Sequence, residues 1–295
     1  MLFLPTKREK NMSLKHRLEV KSGRRFAFGA NWVKFLAKLD DKRIRQAELS
    51  LQEMLEMKNF TGKTFLDIGS GSGLFSLAAR RLGAKLLSFD YDPQSVACTA
   101  ELKNRYFPND PDWKIEQASV LDKEYLKSLG KWDIVYSWGV LHHTGNMQQA
   151  LDNASVLVRE GGILFIAIYN NQGRASEMWL KVKRAYNYLP PALRWLVLLP
   201  SLLRLWGPSA VRDLLRGRPF YTWRHYDENN MRGMSAWRDV VDWVGGLPFE
   251  AAKPEEIFKF YRERGFVLRQ LKTCAGGLGC NEYVFGYGGY GDILH

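Results

Sequence analysis

Cysteine is scarce: Cys98, Cys274 and Cys280 are the only three in 295 residues, too few for a disulfide framework and without the paired spacing of a zinc site. A reducing cytoplasm is the expected home. No apolar stretch approaches the ~20 residues that cross a bilayer, and residues 1–5 are too short a run for a signal peptide before the basic Lys7, Arg8 and Lys10. Arginine-glycine repeats and lysine-rich tails are also missing. The formal net charge of +12 invites an acidic partner such as nucleic acid, an anionic membrane surface or a phosphorylated substrate. It does not choose among them, because Lys and Arg are scattered, enriched only around 7–25 and 194–238, as a plain solvated basic surface would also have them. With 46% hydrophobic residues, the chain has ample material for the core of one large domain or two.

What is present is concentrated at residues 64–92. Phe65, Leu66 and Ile68 read as a buried strand, Gly69, Gly71 and Gly73 follow, and residues 74–82 carry the apolar spacing of a helix. Strand, glycine turn and helix make a nucleotide cradle: backbone without Cβ atoms approaches the ligand closely, and the helix start offers unpaired N–H groups. A dinucleotide fingerprint would want a further glycine at the sixth position, where Leu74 stands, so a nicotinamide cofactor is disfavoured. A second strand, 86–90, ends in Asp90, at the place where ribose hydroxyls are held in such folds. The plainer alternative is a tight turn, with Asp90 capping the next helix.

Asp67 followed by Gly69-Ser70-Gly71-Ser72-Gly73 resembles motif I of class I S-adenosylmethionine-dependent methyltransferases. The resemblance implies S-adenosyl-L-methionine as cofactor, held by Asp67, Gly69, Ser70, Gly71, Gly73, Asp90 and Tyr91. Ser119-Val120-Leu121-Asp122 resembles the adenine-binding segment, with the Val120 backbone on the ring and Asp122 or Ser119 on the exocyclic amine; many relatives carry an acid where Ser119 stands. Ser137 and Trp138 complete the implied cofactor set at the end of a fourth strand, 132–137. The implied fold is α/β: a Rossmann-like, doubly wound, seven-stranded sheet with an antiparallel last strand, N-terminal helices and a helical insertion after the fifth strand. The chain divides accordingly into an N-terminal arm and lid helices (1–59), a cofactor core (60–170), a helical insertion (171–253) and a last helix with terminal hairpin (254–295).

His142 and His143 follow the fourth strand, beside the expected ligand crevice, and His143 falls where ubiquinone O-methyltransferases and other small-molecule members carry a histidine. A near-neutral imidazole can take a proton from a hydroxyl, amine or thiol. Equally, His143 can hold the loop by bonding backbone, with His142 at the surface. No metal is expected, since adjacent histidines do not converge and the acidic cluster of catechol O-methyltransferases is absent. The Asn/Asp-Pro-Pro-Tyr/Phe motif of enzymes that methylate adenine or glutamine is absent too, so nucleic acid remains a partner that is possible but not favoured.

Elsewhere, residues 1–25 read as a polar arm, and 32–39 and 43–57 as helices. Trp32, with Phe28 and Asn31 beside it, Tyr169 and Asn170 at the end of a fifth strand (163–170), His225, Cys274 and Asn281 are the residues expected on the substrate side. The insertion holds a helix at 176–188, and then residues 193–206, apolar, interrupted by Pro200 and flanked by Trp and Arg. That stretch is either an interfacial element giving peripheral contact with the inner membrane face, or a lid over an apolar pocket; the apolar positions form no clean one-sided stripe, which favours the lid. A helix at 236–244 is expected to start from Ser235, and a hairpin at 266–274 and 280–287 to close the sheet. Oligomeric state leaves no signature. The expected function is methyl transfer from S-adenosyl-L-methionine to a small, apolar or lipid-like molecule at an O, S, N or C atom. An RNA methyltransferase using the basic surface, a thiol or metalloid S-methyltransferase involving Cys274 and Cys280, a nicotinamide oxidoreductase and a non-catalytic cofactor binder stand as alternatives.

Overall fold

The computed structural model describes residues 6–37, 39–226 and 236–288. Its centre is a seven-stranded sheet: β1 (Thr64–Ile68), β2 (Lys85–Asp90), β3 (Trp113–Gln117), β4 (Trp132–Trp138), β5 (Val158–Tyr169), β6 (Phe266–Lys272) and β7 (Cys280–Tyr287), in the order β3-β2-β1-β4-β5-β7-β6. The first five pair in parallel, with Leu66 beside Leu87 and Asp67 beside Tyr136. β7 runs antiparallel between β5 and β6. Because the chain winds outward from β1 to β3 and then returns to the other side of β1, β1 and β4 flank the switch point where doubly wound sheets bind ligands.

Both faces of the sheet are covered, which explains the nearly continuous apolar strands. Phe65, Leu86, Ile134 and Phe165 pack to one side, with Leu51 of α3 (Asp41–Leu55), Leu77 of α4 (Leu74–Arg81) and Leu102 of α5 (Pro93–Tyr106). The alternate positions Leu66, Leu87, Val135 and Leu164 pack to the other, with Leu126 of α6 (Lys123–Leu129), Leu151 of α7 (Met147–Ser155) and Tyr261 of a late helix, Pro254–Arg262. A separate cluster holds the insertion together around Trp179 of α8 (Arg174–Tyr188), Leu198, Leu202 and Trp206 of α9 (Trp195–Leu215), and Val240 and Val244 of the helix Ala236–Gly245.

Several elements depart from the sequence expectation. The polar arm is helical: α1 (Lys7–Lys21) starts at a capping box in which the Glu9 N–H donates to Thr6 Oγ1 (3.2 Å) and the Thr6 N–H to Glu9 Oε2 (2.7 Å). It buries only His16, so no apolar stripe announces it. α2 (Gly29–Leu36) starts ahead of the expected span, and β5 begins at Val158, ahead of the expected start at 163, and passes through Gly161 and Gly162. Pro200 does not interrupt α9, which carries both Pro200 and Pro208. Each proline removes one ladder hydrogen bond, and the packed inner face at Leu198, Leu202 and Trp206 holds the helix together. Ser235 and the preceding Arg232, Gly233 and Met234 lie outside the described residues. Among the described residues, no helix is long and apolar enough to cross a membrane.

Candidate active site

The turn after β1 needs glycine for reasons of space and of dihedral angle. Gly69 sits at φ +80°, and a Cβ there would lie 2.4 Å from Val140 Cγ1; Gly73 sits at φ +81°, with a Cβ 2.8 Å from the Thr99 backbone. Side chains at these positions would push Val140 and Thr99 away and break the tight turn that shapes the cradle. Across it, the Gly71 N–H donates to Asp90 Oδ2 and the Asp92 N–H to Oδ1, both at 2.9 Å. Two donors leave lone pairs on each oxygen for hydroxyls of a ligand. Burial pushes the Asp90 carboxyl up to about 7, with Asp92 adding to it and the two N–H groups and Arg25 opposing. Asp67 is likewise pushed up to about 7 by burial, against a 2.5 Å hydrogen bond donated by Ser76 Oγ. At the end of β3, Ser119 Oγ accepts from the Leu121 N–H (3.1 Å), while Asp122 caps α6 through the Tyr125 N–H (3.1 Å) and lies 3.7 Å from Arg8.

These groups form one end of a cavity of about 1360 Å³; the Trp32 indole lies against Gly71, and the rest of the wall includes Phe28, Trp138, His143, Tyr169, Trp206 and Trp243. Pockets for one small ligand hold roughly 300–1000 Å³. The space therefore accommodates a nucleotide-sized cofactor and a second molecule.

Of the expected residues, the cavity gathers Asp67, Gly69, Ser70, Gly71, Asp90, Tyr91, Ser119, Val120, Asp122, Trp138, His143, Trp32 and Tyr169. Gly73 lies just behind, as the left-handed cap of α4. Six others are placed elsewhere. His142 is fully buried rather than at the surface or in the cavity; its ring packs 4.0 Å from that of Tyr169, and its Nδ1 accepts the Tyr169 N–H at 3.3 Å. Ser137 is buried and donates to the Ile68 carbonyl (3.0 Å), tying β4 to β1. Asn170 and Asn281 clasp the hairpin: Asn281 donates to Asn170 Oδ1 (3.2 Å) and accepts the Cys274 N–H (3.0 Å), and Asn170 donates to the Gly277 carbonyl (3.3 Å). Cys274 turns its thiol to that same carbonyl (3.1 Å), and burial raises its pKa. Only Cys280 of the pair reaches the cavity, which removes the two-thiol arrangement. His225 stacks on Tyr221 at 4.1 Å and bonds its carbonyl, one turn back.

His143 has one defined tautomer. Its Nδ1 lies 2.6 Å from the Pro248 carbonyl, which can only accept, so Nδ1 carries the proton and Nε2 the lone pair. Burial lowers its pKa to about 3; the Pro248 bond opposes this, and Lys183 and Arg25 add to it.

Four residues near the site carried no recognisable signal. Lys183, fully buried in α8, donates to the Trp243 carbonyl and lies 4.5 Å from the Trp243 ring and 4.7 Å from that of Phe249; burial lowers its pKa to about 7, with Asp242 opposing. Asp242 lines the cavity and accepts from Asn31 Nδ2. Arg25 donates to the His143 carbonyl (3.1 Å), pairs with Glu19 (2.7 Å) and lies over Tyr91 (4.7 Å). His16 reaches Asp92 at 3.6 Å from α1. The lysine, the acid and the arginine stand in no spacing to the motifs; only the capping box of α1 was there to be read.

The model of a family described as the methyltransferase domain matches residues 39–224. The chain belongs to this methyltransferase family. It is 29% identical over 166 residues to the ubiquinone biosynthesis O-methyltransferase of Paramagnetospirillum magneticum, covering 55% of this chain and 61% of that one. To the protein of the same name from Caulobacter vibrioides it is 29% identical over 164 residues, covering 54% and 60%. The matches thus span about three-fifths of those relatives' length. An O-methyltransferase family protein from Burkholderia thailandensis, 12% identical, shares the fold over 96% of this chain and 71% of its own, with a TM-score of 0.51. The methyltransferase is of class I, and its cofactor is S-adenosyl-L-methionine. A left-handed glycine turn with no room for side chains, lining a cavity beside a carboxylate with lone pairs to spare, fits that cofactor. Its amino-acid end would face Gly69 to Ser72, its ribose Asp90, and its adenine the Ser119 to Asp122 segment.

Proposed function

We propose that this methyltransferase acts on a hydroxyl of a small, apolar molecule held against the aromatic wall. The observation that supports it best is the continuity of the cavity: the cofactor cradle opens directly onto Phe28, Trp138, Tyr169, Trp206 and Trp243, with His143 between. The names of the relatives point to oxygen as the acceptor atom. When bound, S-adenosyl-L-methionine supplies an electrophilic methyl group on a sulfonium.

The protein's part is to bind, align and dry the reactants and to manage one proton. A phenol-like hydroxyl titrates at about 10, whereas His143 is held at about 3. Moving its proton to His143 before any bond to carbon forms is strongly unfavourable. His143 is therefore a late base. Its neutral Nε2 first accepts a hydrogen bond from the hydroxyl, fixing a lone pair of the oxygen toward the cradle. Methyl transfer would break the sulfonium's S–C bond and leave a neutral thioether, and Nε2 of His143 would take the proton that the methylated oxygen sheds. Tyr169 and Phe28, with ring centroids 5.3 and 4.9 Å from the imidazole, hold its plane.

A radiolabelled methyl-transfer screen on lysate fractions, separated into lipids, polar metabolites and RNA, tests the reading. Label is expected in an apolar or lipid fraction, on an oxygen. Label confined to RNA, or to thiols, would overturn it.

A further inference from the structure

We infer that α9 is a docking helix that seats the protein on an anionic lipid surface. Its two faces are both apolar but serve different neighbours. The inner face, Leu198, Leu202 and Trp206, packs into the core of the insertion, and Leu205 and Trp206 also line the cavity. The outer face carries Leu196, Leu199, Leu203, Val211, Leu214 and Leu215, between 48% and 83% exposed. Positions 196, 199, 203, 207, 211 and 214 follow one another at steps of three or four, so they form one stripe along the whole helix. At 1.5 Å per residue, the helix lies along a surface for about 30 Å.

Charge decides what covers that stripe. Arg204, Arg212, Arg216 and Arg218 are exposed on and just after α9. The one acid of the helix, Asp213, is buried and occupied by Thr222, whose N–H and hydroxyl donate to it at 2.7 and 2.8 Å. With Arg204 beside the stripe, Arg216 and Arg218 at its far end and the exposed Trp195 at its start, the helix suits the boundary between headgroups and acyl chains. A second copy of the same face would instead bring arginines against arginines. The helix is not apolar enough to span the bilayer, so it lies on it, with the inner face walling the cavity. The docking itself stands on α9 alone; the consequence that an acceptor enters from the bilayer rests on the proposed function.

The test is sedimentation of the full chain with sucrose-loaded vesicles. Wild-type protein is expected to pellet with phosphatidylcholine vesicles containing phosphatidylglycerol, to bind pure phosphatidylcholine far less, and to release as salt rises. Each arginine replaced by glutamine should weaken binding about fivefold, and L199D/L203D should lose it at least tenfold. S-adenosylhomocysteine calorimetry on the same variants checks that the core is intact, because neither leucine nor these arginines touch the cavity. Vesicle binding without cofactor binding would sink the enzyme reading and leave the docking in place. Wild-type protein that stays in the supernatant with anionic vesicles would overturn the proposal. So would unaltered pelleting of L199D/L203D, or a concentration-dependent dimer that the same variants abolish without any vesicle binding.

Discussion

The two ends of the cavity are built by opposite means. The cofactor end comes from short, consecutive segments: the turn after β1, the end of β2, the end of β3, each a few residues from its strand. The acceptor end is assembled from distant places, with Phe28 before the sheet, Tyr169 at the end of β5, Trp206 in α9, and Asp242 and Trp243 far along the chain. Their electrostatics differ as well. Burial raises two carboxyls, Asp67 and Asp90, at the cofactor end, and lowers two bases, His143 and Lys183, at the acceptor end. In each half the interior disfavours charge, so acids move up and bases move down.

Perturbing one end at a time separates the halves. The largest effect is expected at the acceptor end, where H143A should cut kcat by about 10²–10⁴-fold while leaving S-adenosylhomocysteine affinity within about threefold. In wild-type protein, His143 titrates at about 3 and is neutral above that, so kcat should show no acid limb from this residue between pH 5 and 8. A limb near 6.5 that H143Q removes would show that the imidazole is not held as described.

At the cofactor end, G69A places a Cβ against Val140 at a positive φ. A loss of about 1–3 kcal/mol in denaturant stability is expected, with weaker cofactor binding. Unchanged stability and affinity would mean that the turn has room to spare.

The subtlest test concerns Lys183. Its folded pKa, about 7, lies below its ordinary value of 10.5, so between those values the unfolded chain binds more protons and stability rises with pH. The penalty is fully present below about 7 and has vanished above 10.5. K183M lacks this group. The difference in unfolding free energy between K183M and wild type should therefore shift in favour of wild type as pH rises through that window. A difference that is flat with pH would place the ammonium in a less desolvated site.

These contrasts also explain what could be read beforehand. The doubly wound sheet with its antiparallel last strand, and the glycine turn and strand-end acid as structural features, were legible because glycine positions, apolar runs and strand-end acids are local consequences of backbone geometry. Helix α9 was only half legible: its prolines suggested a break, and its two apolar faces blurred the one-sided pattern that separates a lid from an interfacial helix. His142 and Asn281 were read by proximity to the crevice, yet a side chain one residue along can turn into the core, as His142 does beneath Tyr169. Lys183 and Asp242 were invisible because charged residues buried on separate helices, one against a backbone carbonyl and the other against Asn31, follow no sequence period. The α1 helix was missed for a related reason: it packs through His16, Ser13 and Arg8 rather than through an apolar stripe.

The central claim is that the glycine turn and Asp90 form the seat of S-adenosyl-L-methionine. Calorimetric titration of wild-type protein and D90A with S-adenosylhomocysteine tests it most directly. Asp90 accepts two N–H groups within the cradle and keeps lone pairs that ligand hydroxyls can donate to, and hydrogen bonds to a charged acceptor are worth about 1.5–3 kcal/mol each. One-to-one binding by wild type and a loss of at least tenfold in D90A are the expected result. Wild-type protein silent to the ligand, or D90A binding as tightly as wild type, would contradict the account.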